Sequence, residues 1–269
     1  MTRTRVSPID SARRRPIGVT RRQFNAVAGG TIASFAVGAA CAGSQQQGSE
    51  GRILARPRSN VPTSGTGQRA LGLGTSRDGL IQLPAKLSTA PLPLLVLLHG
   101  AGGSARGITR RLGAFADEAG VAVFAPDSRG SSWDAIGGSL GPDVVFLNRA
   151  LEKVFESTAV DSERVSIGGF SDGASYALTL GLMNGDLFPR IVAFSPGFVV
   201  PGVPHGKPRC FISHGTADEI LPIDRCSRVI VPALQKRGYD VTFKHFDGGH
   251  DIPPFIAKEG MRFAAGAKP

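Results

Sequence analysis

Apolar runs without alternation recur along residues 93–246, and stretches of helical spacing lie between them. Pro93-Leu94-Leu95-Val96-Leu97-Leu98-His99-Gly100 is the clearest. Five consecutive apolar residues suit a strand buried on both faces of a sheet. Val121–Pro126, Val165–Gly168, Ile191–Phe194, Cys210–His214 and Val241–Phe246 read as further strands. Between them, Ile108–Ala119 carries Leu112, Phe115 and Ala116 at helical spacing. Val144–Phe155 does the same with Leu147 and Leu151, and Asp143 stands where a cap belongs. Ile223–Arg237 predicts a helix closed by Gly238, kinked or broken in its first half by Pro232. Phe255–Phe263 predicts a closing helix, and Ala70–Pro84 an antiparallel edge hairpin. Alternating strands and helices predict an α/β fold: a doubly wound, mainly parallel twisted sheet with helices on both faces and sites at the strands' C-terminal ends.

The 269 residues suit one such domain, taken as residues 70–269, plus an added segment. The net charge of +10 invites a nucleic-acid reading, but its distribution argues against one. Residues 1–60 hold ten arginines against Asp10 and Glu50, leaving only +2 for the rest. No DNA- or RNA-binding motif accompanies them.

That basic segment reads as an address. Arg21-Arg22-Gln23-Phe24 precedes a Gly/Ala-rich apolar run from Ala26 to Ala40, the pattern of a twin-arginine export signal over residues 1–42. The run is too short and weakly apolar for a permanent membrane span. Val37-Gly38-Ala39-Ala40-Cys41 favours a lipoprotein box with Cys41 as the lipidated residue. Ala40-Cys41-Ala42 would instead serve an ordinary signal peptidase. The expected partner is the twin-arginine export machinery, and the expected location is periplasmic, cell-surface or secreted. Any membrane contact would run through the lipid. Residues 43–69, rich in Gly, Ser, Gln and Arg, read as a flexible linker. Cys210 and Cys226 fall at opposite edges of the expected sheet, too far apart for a disulfide, and read as two buried thiols.

The candidate chemistry centres on Val165-Ser166-Ile167-Gly168-Gly169-Phe170-Ser171-Asp172-Gly173-Ala174. A strand, Gly-x-Ser-x-Gly and a small-residue helix form a nucleophile elbow in its required context, with Ser171 at the tip. Such an elbow needs an acid and a histidine at later strand ends, in that order. His214-Gly215-Thr216-Ala217-Asp218 supplies Asp218, with Glu219 the near competitor. Asp247-Gly248-Gly249-His250 supplies His250 on a hinge of two glycines. His99, His205, His214 and His245 have structural readings, with His99 and His214 bracing their loops. A tetrahedral oxyanion needs two backbone donors. These are expected from Asp172, directly after the serine, and from the turn after the first central strand, with Ala101 favoured over Gly102. The Asp172 carboxylate is expected to point away from that anion.

Leu97-Leu98-His99-Gly100-Ala101-Gly102-Gly103, Gly169-Phe170-Ser171-Asp172-Gly173, His214-Gly215-Thr216-Ala217-Asp218 and Gly248-Gly249-His250 together resemble the serine α/β-hydrolases. The branch most similar is the phospholipase/carboxylesterase type, with its acyl-thioesterase, polyhydroxybutyrate-depolymerase-like and feruloyl-esterase-like relatives. The resemblance covers about residues 70–265. It implies a cofactor-free, metal-free hydrolase acting on small-molecule, lipid or polyester esters; the alternatives are an amide- or peptide-cleaving serine hydrolase and a non-catalytic surface binding protein of the same fold. Residues 196–209 are too short for a helical cap, so an open site is expected. Phe198, Val199, Val200 and Trp133 could line it, with ordinary packing of their loops the favoured reading.

Overall fold

The computed structural model describes residues 51–63, 65–137 and 140–267. The export signal and Cys41 lie outside the described residues. Eight strands form one sheet: β1 (Gly67–Ala70), β2 (Gly79–Leu83), β3 (Leu92–Leu98), β4 (Ala122–Pro126), β5 (Val160–Phe170), β6 (Arg190–Phe194), β7 (Arg209–Gly215) and β8 (Val241–Phe246). Their spatial order is β1-β2-β4-β3-β5-β6-β7-β8. β1 and β2 form the expected antiparallel hairpin, and β2 runs antiparallel to β4. Every later pairing is parallel. The chain winds outward from β3 to β4 and then crosses to β5 on the other side. The order in which strands are added therefore reverses between β3 and β5, where a parallel sheet opens a crevice at its C-terminal edge.

Helices α1 (Ala105–Glu118) and α5 (Pro254–Ala264) cover one face. Helices α2 (Pro142–Ser157), α3 (Asp172–Met183) and α4 (Ser227–Lys236) cover the other. Strand periodicity divides the core accordingly. Leu94, Val96 and Leu98 of β3 pack towards α2 and α3, whereas Leu95 and Leu97 pack towards α1 and α5. All seven β3 residues are buried, as a strand covered on both faces requires.

Three local expectations are corrected. Asp143 does not cap α2. The helix begins at Pro142, and the Asp143 carboxylate instead accepts the backbone N–H groups of Arg129 (2.6 Å) and Asp134 (2.8 Å). Its burial raises its pKa against those bonds. Pro232 does not break α4. The interruption comes earlier, at Cys226 (φ −116°, ψ −99°), between the 3-10 turn Ile223–Arg225 and Ser227. The linker reading fails for residues 51–58. Ile53 is fully buried in the α2–α3 core, and its N–H donates to Asn184 Oδ1 at 2.8 Å. Arg52 pairs with Asp186 at 2.8 Å. Composition averages over such a segment, while one isoleucine and two hydrogen-bonded arginines suffice to dock it.

Candidate active site

The elbow is held by strand register. β5 places Gly169 beside Leu98 of β3 and Phe170 beside Phe194 of β6, and Ser171 N–H donates to Phe194 O at 2.9 Å. Ser171 then adopts φ 57°, ψ −121°, a conformation that costs a non-glycine residue on the order of 1–3 kcal/mol. Its neighbours have no room for side chains. A Cβ on Gly173 would sit 2.5 Å from His99 O and Leu98 O, and one on Gly169 would sit 2.5 Å from Gly173. The two glycines therefore let α3 start directly against the end of β3.

β7 and β8 deliver the other two groups. Gly215 pairs with Phe246 across the two strand ends, and a Cβ on Gly215 would lie 2.2 Å from Gly249 O. That close approach brings the Asp218 loop against the His250 loop. His250 Nδ1 lies 2.6 Å from Asp218 Oδ2. Asp218 Oδ1 accepts the N–H groups of Ile220 (3.0 Å) and Leu221 (2.8 Å). Burial opposes ionisation of Asp218, but the Leu221 amide and His250 outweigh it and hold its pKa below the usual carboxylate value. Glu219, the competitor for this role, makes no hydrogen bond to either histidine among the described residues.

A second histidine shares the carboxylate. His214 Nε2 is 2.7 Å from Leu221 O and 3.2 Å from Asp218 Oδ2. Both partners are acceptors, so Nε2 carries the proton, and Nδ1 accepts from Ser227 Oγ at 2.7 Å. Burial lowers the pKa of His214, which is neutral at pH 7. The bracing read from the sequence is present, but it acts on the acid as well as on the loop. The His-x-x-x-Asp spacing of 214 and 218 was the available signal.

The turn after β3 lies against the serine: a Cβ on Gly100 would meet Ser171 Cβ at 3.3 Å. The Gly102 N–H is already engaged with Ser131 O at 2.7 Å, and that of Gly103 with Gly100 O at 3.0 Å. Among the described residues the Ala101 N–H has no acceptor, and the Asp172 N–H lies in the unsatisfied first turn of α3. The Asp172 carboxylate is held by Ser132 Oγ at 2.6 Å. His99 braces the turn as expected, with Nδ1 donating to Gly100 O (2.8 Å) and Nε2 accepting from Ser128 N–H (3.1 Å).

Solved structures share this architecture. Esterase PE8 aligns with a TM-score of 0.56 at 25% identity, over 70% of this chain and 96% of its own. The phospholipase/carboxylesterase from Dyadobacter fermentans DSM 18053 aligns at 0.55 and 21%, over 70% and 96%. The chain has the α/β-hydrolase fold. Its residues 146–264 match the Phospholipase/Carboxylesterase family model, so the resemblance to that branch holds over the part carrying Ser171, Asp218 and His250. A curated relative, "Putative esterase NocK" of Nocardia uniformis subsp. tsuyamanensis, is 30% identical over 146 residues. That match covers 50% of this chain and only 42% of the relative.

Other parts of the hydrolase fold depart from the sequence reading or refine it. Trp133 follows the favoured packing reading and does not line the site. It is buried, stacks on Tyr176 (centroids 5.2 Å) and donates Nε1–H to His99 O at 2.8 Å. Phe198, Val199 and Val200 border a groove between α3 and α4 to which Ser171, Asp218 and His250 do not contribute. Beside the serine stands Phe170, packed on the His250 ring (4.7 Å) and under the Arg111 guanidinium (4.6 Å). Among the described residues no hydrogen bond joins Ser171 Oγ to His250, and no group of three or more His, Cys, Asp or Glu is arranged to hold a metal. Cys210 and Cys226 are free and buried, and burial pushes the Cys210 thiol up to about 12.

Proposed function

We propose that this chain hydrolyses carboxylic esters through an acyl-enzyme on Ser171. The observation that carries the reading is the 2.6 Å contact between His250 and a buried, ionised Asp218, on loops converging beside the strained Ser171 elbow. Nδ1–H donates to Asp218, which leaves Nε2 unprotonated as the base. His250 Nε2 takes the Ser171 proton as Oγ bonds to the ester carbonyl carbon. The carbonyl oxygen becomes an oxyanion facing the N–H groups of Ala101 and Asp172, each worth on the order of 3 kcal/mol in the transition state. Collapse breaks the bond to the leaving alkoxide, which receives the proton from His250. Water then attacks the acyl carbon while His250 takes its proton, and Ser171 leaves reprotonated. Asp218 stabilises the imidazolium in both halves.

A labelled fluorophosphonate and paired acetates test the reading. The wild-type protein should label at Ser171 and hydrolyse p-nitrophenyl acetate faster than the matching anilide. Ser171→Ala should lose labelling and lower kcat on the order of 10⁴-fold or more, with the melting temperature unchanged. An unlabelled folded wild type, or an active Ser171→Ala, refutes it, and a faster anilide assigns amide chemistry instead.

Export through the twin-arginine route belongs to the same proposal, with Cys41 as a possible lipid acceptor. The Arg21-Arg22-Gln23-Phe24 pattern ahead of the apolar run supports it. Arg21→Lys with Arg22→Lys should leave the protein unexported; unchanged export removes this reading.

A further inference from the structure

We propose that the groove between α3 and α4 binds an aliphatic carboxylate, apart from the reacting atoms. The groove encloses about 340 Å³, within the range of small-ligand sites. Its walls are Leu182 and Met183 of α3, Val229 and Ala233 of α4, and the 197–204 loop. Thr179 Oγ1 contributes no free donor to them, because its hydroxyl is bonded to Ser175 O at 2.9 Å. An apolar surface this open is costly unless something covers it: Phe198 is 37% exposed, Val229 58%, and Val203 in the same loop 73%.

The charge at its rim is one-sided. Arg225 and Arg237 line the groove and no carboxylate does. The nearby acids are already engaged, Asp224 by Arg228 at 2.5 Å and Asp240 by Arg209 at 2.8 Å. Arg225 and Arg237 form no ion pair among the described residues. They stand before and after α4, so cations mark both ends of an apolar trough that follows this ten-residue helix, about 15 Å by helical rise. Lys207 adds to the far end, donating to Arg237 O at 2.6 Å. A neutral alkyl group would use the walls and leave the arginines solvated. A small anion would use the arginines and leave the walls bare. A ligand with an unbranched apolar chain and one terminal carboxylate uses both.

Calorimetric titration of the full chain with hexanoate, octanoate and decanoate, and with 1-octanol, tests this. Affinity should rise about fourfold per added methylene until the trough is full. Octanoate should bind at least fivefold more tightly than 1-octanol. Ala233→Trp, on an exposed position of α4, should fill the trough and abolish binding without changing the melting temperature. Val229→Asp should weaken it at least tenfold through repulsion and gives a second test should Ala233→Trp misfold. Arg225→Gln combined with Arg237→Gln should erase the preference over the alcohol. Chain-length-independent binding, wild-type affinity in both wall variants, or equal affinity for octanoate and octanol would overturn the proposal. So would a protein that binds no acid and sediments as a dimer which Ala233→Trp dissolves, since the trough would then belong to a second copy. None of these readouts depends on hydrolysis, so the ester-hydrolase reading stands or falls separately.

Discussion

At Ser171 a residue with a side chain occupies a conformation that favours glycine. Ser171→Gly should therefore be inactive yet more stable, by about 1 kcal/mol net of the greater freedom of glycine in the unfolded chain. Denaturant unfolding checks the sign. Asp218 carries a subtler dependence, because His214 Nε2, bonded to Leu221 O, also stands 3.2 Å from the oxygen that contacts His250. His214→Ala should lower kcat about tenfold with KM unchanged, and should move the acidic limb of the kcat/KM–pH profile. His214→Gln, which can still present an N–H towards Leu221 O and Asp218, should recover most of the rate. A wild-type pH profile in His214→Ala would confine His214 to packing.

Between elements, the decisive contact is the meeting of two loops at adjacent strand ends. The β7 and β8 loops approach at Gly215, where any Cβ would collide with the backbone of Gly248 and Gly249. Gly215→Ala should separate Asp218 from His250, lowering kcat at least 100-fold while the sheet stays folded. A near-wild-type rate in p-nitrophenyl acetate hydrolysis would show that the loops tolerate the wider spacing. The hairpin β1–β2, far from this junction, should be indifferent to the same change.

For the molecule as a whole, residues 51–58 act as a strap across the ends of α2 and α3. Ile53→Ala should cost about 2–3 kcal/mol, as removal of a fully buried branched side chain does. The strap also carries a pH dependence. Hydrogen bonds from Arg52, against partial burial, hold the Asp186 carboxyl at about 2, below its unfolded value. Its contribution is thus present above pH 4 and lost as the pH falls towards 2. With Asp186 37% exposed, solvent screening limits it to about 1 kcal/mol. Arg52→Ala should lower the melting temperature more at pH 7 than near pH 2, where only its bond to Met183 O and a half-ionised Asp186 remain to be lost. His99 and His214 act over a different window. Burial depresses both pKa values, so the unfolded chain binds protons that the native state refuses. Stability should fall as the pH drops below about 6.5, by up to about 1.4 kcal/mol per unit for each histidine. A flat melting temperature between pH 7 and 5.5 would contradict this.

Much of this molecule is written locally. Unbroken apolar runs dictated the strands because both faces of a parallel sheet are covered. Gly-x-Ser-x-Gly between strand and helix dictated the elbow because only glycine fits there. The candidates Ser171, Asp218 and His250 were legible because a nucleophile elbow calls for an acid and then a histidine at later strand ends. What tertiary structure decided are contacts between segments with no shared periodicity. Ile53 docks on α2 and α3 across more than ninety residues. Trp133 turns inward to the His99 carbonyl instead of facing the crevice. Asp143 serves the 127–141 loop instead of its helix. His214 reaches Asp218, and Phe198 turns to a groove beside α4. Each depends on which polar group or apolar wall lies opposite once the sheet has closed, and a residue type alone carries no record of its future neighbour.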